Sequence, residues 1–321
     1  MRFLDPIIVV GEICEDIIID NPRSVRVLGE PAWAERIRST IGGSAAFVAS
    51  ALCHLGHAVE VWGSVGDDAE GRRLLQQLET FGADVTHCQM LRNCHTTRSA
   101  VINKQGSKKF IGCSAMLPLP LPDIQALGRA SGVYLAGYML YPNIWGSPTK
   151  TLFEAARQKG LIVFFDGQLL PIRRAKILES SSMQDVLPLV DVVLAARKET
   201  MQWFGTKDAK VAGQRFLDMG VQAAILKRGE QGARLVWRKL GNTEELDIAP
   251  YRVQVSDTVG SGDLFGASML HGLARGWDYP VSARFANIFA ALSLQGYLEH
   301  KRMPSEQQVL DLLSQEDEWN E

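Results

Sequence analysis

Short runs of aliphatic and β-branched residues alternate along the chain with longer stretches whose apolar positions recur at three- and four-residue spacing. The short runs predict buried strands at Ile7 to Val10, Val59 to Trp62, Val133 to Leu135, Leu161 to Phe165, Val190 to Leu194 and Ala223 to Leu226. The periodic stretches predict helices over Ser44 to Leu55, Ala69 to Phe81, Thr149 to Lys159, Lys198 to Phe204 and Lys210 to Met219. Strand and helix taking turns in this way is the pattern of an α/β protein, with a mostly parallel central sheet flanked by helices. Two stretches break the rhythm. Ile13 to Thr40 is irregular, and Thr97 to Gly112 reads as two strands around a polar Lys-Gln-Gly-Ser turn, so both predict a small β-layer standing off the main sheet. The segment after Pro304 predicts one short amphipathic helix.

Composition narrows the picture. With 321 residues, 46% of them hydrophobic and 22% charged, the chain can bury a sizeable core, and the length admits two domains or one large α/β domain. Thirty-four basic against 36 acidic residues leave a formal charge of −2, which argues against a nucleic-acid footprint or a polybasic membrane patch. Five scattered cysteines with no C-x-x-C pair suggest neither a disulfide framework nor a zinc knuckle. The opening MRFLDPIIVVGE has no signal-peptide pattern, and no apolar run approaches a membrane span, so the expected setting is cytoplasmic.

The strongest chemical signal is Asp257-Thr258-Val259-Gly260-Ser261-Gly262-Asp263, which runs directly into a stretch with helical periodicity. Two glycines and a serine before a helix make a tight turn whose backbone N–H groups point out of the helix N-terminus, a place that attracts anions. A carboxylate beside bound phosphate costs electrostatic energy. Asp263 therefore suggests a base that takes the proton of a hydroxyl as it attacks a γ-phosphoryl group, with the amides stabilising the phosphoryl oxygens. The same seven residues also fit a capping aspartate after a glycine turn.

A second cluster bears on that choice. Gly42-Gly43-Ser44 opens the first predicted helix, where adjacent glycines let backbone approach a ligand hydroxyl, and Gly63-Ser-Val-Gly66-Asp67-Asp68-Ala-Glu-Gly71 follows the next strand. Together with the Asp257 to Asp263 segment, these resemble the two signatures of the PfkB (ribokinase-like) family of carbohydrate and nucleoside kinases. Other segments match in order: Gly11-Glu12-Ile13-Cys14-Glu15-Asp16, Phe165-Asp166-Gly167-Gln168, Leu226-Lys227-Arg228-Gly229 through Gly232, and Phe285-Ala286-Asn287.

The resemblance implies one ribokinase-like domain over 1–321, with a lid from about 12–40 and 97–112. It implies ATP and Mg²⁺, Asp263 as catalytic base, and Gly260, Ser261 and Gly262 with the Asp263 N–H as anion hole. Asp16, Gly42, Gly43, Phe47 and Tyr138 would then meet the acceptor. Lys227, Gly229, Gly232, Asp257, Thr258 and Asn287 would meet the nucleotide, and Glu199 the metal shell. A homodimer through the lid is a further implication.

Several positions depart from the family pattern. Phe47 stands where the family has Asn, Ala196-Arg197-Lys198-Glu199 keeps only the Glu of Asn-x-x-Glu, and Asp166-Gly167-Gln168 replaces Asp-Pro-Asn, with Leu170 where an arginine is common. Lys227 replaces a residue that is often Thr; it reads either as a point charge for a phosphate or as a surface lysine at a strand end. His54 and His57 lack partners at metal-ligand spacing and read as a helix C-terminal pair. Asp67 and Asp68 read as a loop and N-cap, and Arg173-Arg174-Ala-Lys176 as a solvated helix face. Among the aromatics, Trp33, Tyr141 and Trp145 read as packing, while Tyr138 falls just past a strand end, where open α/β sheets bind ligands.

The function this supports is ATP-dependent phosphorylation of a hydroxyl on a small sugar or sugar derivative. The alternatives are a nucleoside kinase of the same fold, with Phe47 as a platform under a base, and a sugar- or nucleotide-binding regulator weakened in catalysis.

Overall fold

The computed structural model describes residues 3–22, 31–104, 107–112, 117–169, 182–255, 258–295 and 303–318. Asp257, Cys113, Leu170 and the basic run at 173–176 lie outside the described residues. The strands are β1 (Phe3–Val10), β2 (Cys14–Asp20), β3 (Arg36–Gly42), β4 (His57–Trp62), β5 (Ser64–Gly66), β6 (Gln89–Leu91), β7 (Arg98–Lys104), β8 (Ser107–Gly112), β9 (Gly132–Ala136), β10 (Ile162–Asp166), β11 (Val192–Ala196), β12 (Ala223–Lys227), β13 (Ala233–Lys239) and β14 (Asn242–Ile248). The helices are α1 (Ser44–His54), α2 (Ala69–Phe81), α3 (Ser147–Gln158), α4 (Met183–Val186), α5 (Arg197–Phe204), α6 (Ala209–Asp218), α7 (Ser261–Ala274), α8 (Tyr279–Ser293) and α9 (Glu306–Glu318).

Eight strands form the main sheet in the order β14-β13-β12-β11-β10-β9-β1-β4. The six predicted strands are its parallel part, and β13 and β14 add an antiparallel edge. The parallel strands are largely apolar because most of their length is buried on both faces, and alternate side chains serve opposite layers. Ile7, Val9, Tyr134, Phe164, Leu194 and Ile225 pack with α1, α7 and α8 on one face. Ile8, Val10, Leu135, Phe165, Val193 and Leu226 pack with α3 and α6 on the other. Strand order reverses at β1, which is flanked by β4 on one side and β9 on the other. Such a reversal opens a crevice beyond the carboxyl ends of the strands.

The two irregular stretches form a second sheet in the order β3-β2-β7-β8. Strands β2 and β3 are inserted between β1 and α1, so this sheet grows out of the crevice. Pairing brings Asp16, Ile18, Ser99, Val101 and Thr40 to one face, and Ile17, Ile19, Ile37, Ile102 and Ile111 to the other. Ile18 and Val101 are buried, whereas Ile37 and Ile111 are 67% and 51% exposed. The predicted tail helix is α9. The two histidines do not form the pair expected: His54 Nε2 lies 3.0 Å from the Pro304 carbonyl, and His57 begins β4 with Nε2 2.9 Å from His271 Nδ1. Asp68 does cap α2, accepting from the Gly71 N–H at 2.8 Å.

Helix α7 lies close against the sheet because Gly266 has no side chain. A Cβ there would overlap the hydroxyl of Tyr134, whose ring stacks on Phe164 at 4.7 Å and has little room to yield. That hydroxyl is buried without a hydrogen-bond partner. Gly266→Ala should therefore cost about 1–3 kcal/mol by overpacking, and Tyr134→Phe should be neutral to stabilising because it removes an unsatisfied group. In chemical denaturation the double variant should recover part of the Gly266→Ala loss; strict additivity would show that the two groups do not clash.

Candidate active site

The N-terminus of α7 is built by Gly260, whose φ of +75° is the left-handed turn that glycine adopts without strain. No side chain caps this helix end, so its first turn is a positive pole, with the Ser261 N–H reaching the Thr258 carbonyl at 3.4 Å. A Cβ on Gly260 would sit 2.8 Å from the Phe47 ring. Phe47 is only 3% exposed, and its ring lies under the turn rather than in the crevice. The residue replacing the expected Asn supports the anion loop from below.

Three strand ends deliver charge to this pole. Asp166 ends β10 at 2% exposure, Lys227 ends β12, and Glu199 follows β11 on the first turn of α5. Lys227 Nζ is 3.6 Å from Asp166 Oδ2 and 2.8 Å from where a Cβ on Gly262 would be. It is thus drawn in among the acids and is not a lysine on an open surface. Burial alone would lower the Lys227 pKa, but Asp166, Glu199 and Asp263 outweigh it and hold the ammonium above its ordinary value. Glu199 accepts the Ala196 N–H and is raised by burial, against the pull of Lys227.

Asp263, on the first turn of α7, is pushed up to about 7. Burial is the main cause, followed by the neighbouring Asp166; Lys227 and a hydrogen bond from Ser44 oppose the rise. Such a value suits proton transfer near neutral pH. Ser44, the first residue of α1, also accepts a hydrogen bond from Gln168 Nε2.

The side of the crevice next to β2 is acidic. Asp16 is 4% exposed and accepts from Ser99 Oγ, with Cys14 Sγ 3.6 Å away. A side chain on Gly42 would overlap the Asp16 carboxyl group, so the first glycine of the pair is needed for this packing. Gly43 takes up the N-cap of α1, where the Ala45 N–H donates to the Glu12 carbonyl at 3.1 Å. The Glu12 carboxyl is raised to about 7 by burial, then by Asp16 and Asp263. Tyr138, expected to meet the acceptor, is fully buried and accepts the Gly146 N–H at 2.7 Å; it packs beneath the crevice. Tyr141 and Trp145 are likewise packed, with the Trp145 indole donating to the Tyr138 carbonyl, whereas Trp33 is 74% exposed.

A cleft of about 870 Å³ opens beside the α7 pole. Lys227, Gly229, Gly232, Thr258, Ser261, Gly262 and Asn287 all line it, which unites most of the residues singled out for the nucleotide. Its far wall is apolar, formed by Tyr251, Val253, Phe265, Ala290 and Leu294. Asn287 Nδ2 is engaged by the Ala249 carbonyl at 2.9 Å. Among the described residues, no three His, Cys, Asp or Glu side chains converge as a metal site.

The sequence reading did not single out Glu12, Ser44, Asp166 or Gln168 as site residues. Asp166 and Gln168 lay inside a matched segment but were weighed only as departures. The signal that could have found Ser44 is its place directly after the paired glycines at a helix start.

An uncapped helix end behind a glycine turn, a carboxylate raised to about 7 and a lysine drawn in among acids beside a cleft are parts that phosphoryl transfer calls for. The chain belongs to the pfkB family of carbohydrate kinases, whose sequence profile matches residues 5–304. It is an ATP-dependent sugar kinase. It is 25% identical over 318 residues to the 5-dehydro-2-deoxygluconokinase of Geobacillus thermodenitrificans (strain NG80-2), covering 94% of this chain and 91% of that one. It is 24% identical over 321 residues to the ribokinase of Bacillus subtilis (strain 168), covering 96% and 99%. Arabidopsis thaliana ribokinase complexed with ribose and ATP superposes with a TM-score of 0.78 at 22% identity, over 97% of this chain and 99% of that one. Ribokinase from Thermotoga maritima gives 0.75 at 22% identity, again over 97% and 99%. Among the described residues no helix is long and apolar enough to cross a membrane.

The raised Asp263 value has a thermodynamic consequence. Its folded pKa of about 7 exceeds the ordinary 3.8, so its contribution to stability is fully present below pH 3.8 and is lost as the pH rises through 7. Asp263→Asn, which does not ionise, should therefore melt a few degrees higher than the wild type at pH 8, and the gain should fade toward pH 4. Melting curves across that range check it; a gain that grows with acidity would contradict the assignment.

Proposed function

We propose that this kinase phosphorylates a hydroxyl of a small sugar or sugar acid, with Asp263 removing the hydroxyl proton and the α7 N-terminus holding the transferred group. The observation that carries this reading is the grouping of Asp263 with Lys227 and Asp166 at the uncapped end of α7, where Lys227, Ser261 and Gly262 line the cleft and Asp16 lies nearby. ATP would lie along the cleft with its base against the apolar wall and its phosphates toward Gly262 and Lys227. Lys227 would leave its pairing with Asp166 to share its charge with the γ-phosphoryl oxygens as negative charge builds on them. Asp16 would accept hydrogen bonds from the acceptor's other hydroxyls and so orient the reacting one in line.

A Mg²⁺ ion fits this donor set as a companion of the triphosphate. Asp166 and Glu199 would face its water shell, which suits an ion that binds through one or two carboxylates and substrate phosphates and retains several waters. When bound, it would offset phosphate charge. The names of the relatives direct the choice of acceptor toward 5-dehydro-2-deoxygluconate and ribose. The buried position of Phe47 removes the platform that a nucleoside acceptor would use.

The second sheet would act as a lid. Its inner face carries Asp16 and Ser99, and closure over the acceptor would exclude water from the phosphoryl group. Its outer isoleucine face would meet the same face of a second copy of this chain, since the patch is apolar, half-exposed and suited to self-complementary pairing.

Three measurements test these assignments. With wild-type enzyme, ADP release should depend on 5-dehydro-2-deoxygluconate or ribose. Asp263→Ala should lower turnover roughly 10²–10⁴-fold while ATP binding persists; wild-type turnover in that variant would remove the base. Light scattering should give twice the chain mass for the wild type and a single chain mass for Ile37→Asp, whereas a monomeric wild type would refute the dimer.

A further inference from the structure

We infer that the Gly63 to Gly71 segment and the start of α2 form a seat for the lid strands, and that Glu15, Arg73 and Arg98 are positioning residues that set the depth of Asp16 in the crevice. The inference rests on Asp16 gripping the acceptor and adds the groups that hold it in place.

Two successive residue pairs join β2 to β7: Glu15 with Arg98, then Asp16 with Ser99. Neighbouring residues on a strand point to opposite faces, so when the second pair looks into the crevice the first looks away from it. The first pair meets α2. Glu15 Oε1 lies 2.9 Å from Arg73 Nη2 and its Oε2 lies 2.8 Å from Arg98 Nε, while Ser39 of β3 donates to the same carboxylate. Arg98 Nη2 continues to Glu70 Oε2 at 3.0 Å. One connected set of charges thus ties β2, β3 and β7 to the first two turns of α2. Glu15 is only 7% exposed, whereas both arginines are about half-exposed. Exposed ion pairs stabilise little, but a buried carboxylate that loses a partner is left with its charge uncompensated.

The lead into β7 is held at the same place by separate contacts. Asp68, the N-cap of α2, accepts the Thr96 N–H at 2.8 Å and the Thr96 hydroxyl at 2.6 Å, and that hydroxyl accepts from the Gly66 N–H at 3.1 Å. Two glycines let these segments touch. A Cβ on Gly66 would lie 2.4 Å from the Cys94 carbonyl oxygen and 2.5 Å from the Thr96 nitrogen. One on Gly71 would lie 2.3 Å from the Gly66 carbonyl oxygen and 2.8 Å from Thr96 Oγ1. The Glu15 N–H closes the join by donating to the Thr97 carbonyl at 2.9 Å. The Gly63 to Gly71 segment therefore contributes by contact, fixing where β2 and β7 leave the body of the protein. Neither Glu15 nor Arg73 nor Arg98 lines the nucleotide cleft, so their loss should be felt by the acceptor and not by ATP.

The test is a double-mutant cycle read as KM for the acceptor, using whichever of 5-dehydro-2-deoxygluconate and ribose supports ADP release, with kcat, KM for ATP and melting temperature recorded for each variant. Arg73→Gln and Glu15→Gln should each raise the acceptor KM roughly tenfold, as loss of a hydrogen bond between charged groups implies, with KM for ATP unchanged. Because both act through one carboxylate, the double variant should be no worse than Glu15→Gln alone, whereas independent sites would multiply their effects. Arg73→Lys, which keeps a cation there, should recover most of the loss. Asp16→Asn tests the grip itself and should raise the same KM. If it does, while Arg73→Gln and Glu15→Gln lower only the melting temperature or multiply their effects, the positioning role is overturned alone. If Asp16→Asn leaves the acceptor KM unmoved, the grip of Asp16 falls and the positioning role with it. Should Glu15→Gln not fold, Arg73→Gln and Arg73→Lys decide the matter by the same shift and recovery in KM.

Discussion

Moving a phosphoryl group onto an alcohol asks for a carboxylate and a polyanion in one place, sheltered from water, although each repels the other. In this protein the conflict falls on four acids, Asp16, Asp166, Glu199 and Asp263, with Glu12 close behind. The counterweight is small: one lysine, the positive pole of α7 and a few hydroxyl donors. Desolvation and then the Asp166 charge push Asp263 toward its protonated form, and Lys227 and Ser44 pull it back toward the ionised one. The site is balanced between those pressures. That balance is why the lysine matters as much as the acid itself.

The fold brings these groups together by an economical route. Parallel strands put the carboxyl ends of β10, β11 and β12 side by side, so three residues far apart in sequence become neighbours with no loop spanning between them. Odd and even positions along each strand feed separate helical layers, which fixes the strand register and with it the depth of each strand end. Gly266 then lets α7 settle against Tyr134, and Phe47 supports the turn at Gly260. The pole of the helix is set by contacts on two sides, one to the sheet and one to α1.

The parallel strands were legible in the sequence because strands buried on both faces read as unbroken apolar runs. The edge hairpin β13 and β14 was not, since its exposed side carries charges such as Arg234, Asp247 and Glu245 and so breaks up any continuous apolar run. The glycine turn at Gly260 and the place of Asp263 on the first turn of α7 were legible because glycine spacing before a helix has a local cause. The positions of Phe47 and Tyr138 were not, because whether an aromatic ring faces a crevice or the layer beneath it depends on neighbours contributed by distant segments. Gln168 looked like an erosion of the expected Asp-Pro-Asn. Its backbone angle and its partner Ser44, 124 residues earlier, exist only in three dimensions.

The pairing of β2 with β7 is parallel and joins residues 83 positions apart, as the contact between Asp16 and Ser99 records. Strands that must wait for such distant partners close late, because the loop between them has to be ordered before their contacts repay it. On the ribosome, the stretch holding Asp16 emerges early and can pair with β3, yet its other edge has no partner until β7 follows, so this side of the crevice is completed after most of the α1 and α2 layer has been made. The first crossover of this chain is thus an open clasp during synthesis, fastened by a segment translated much later.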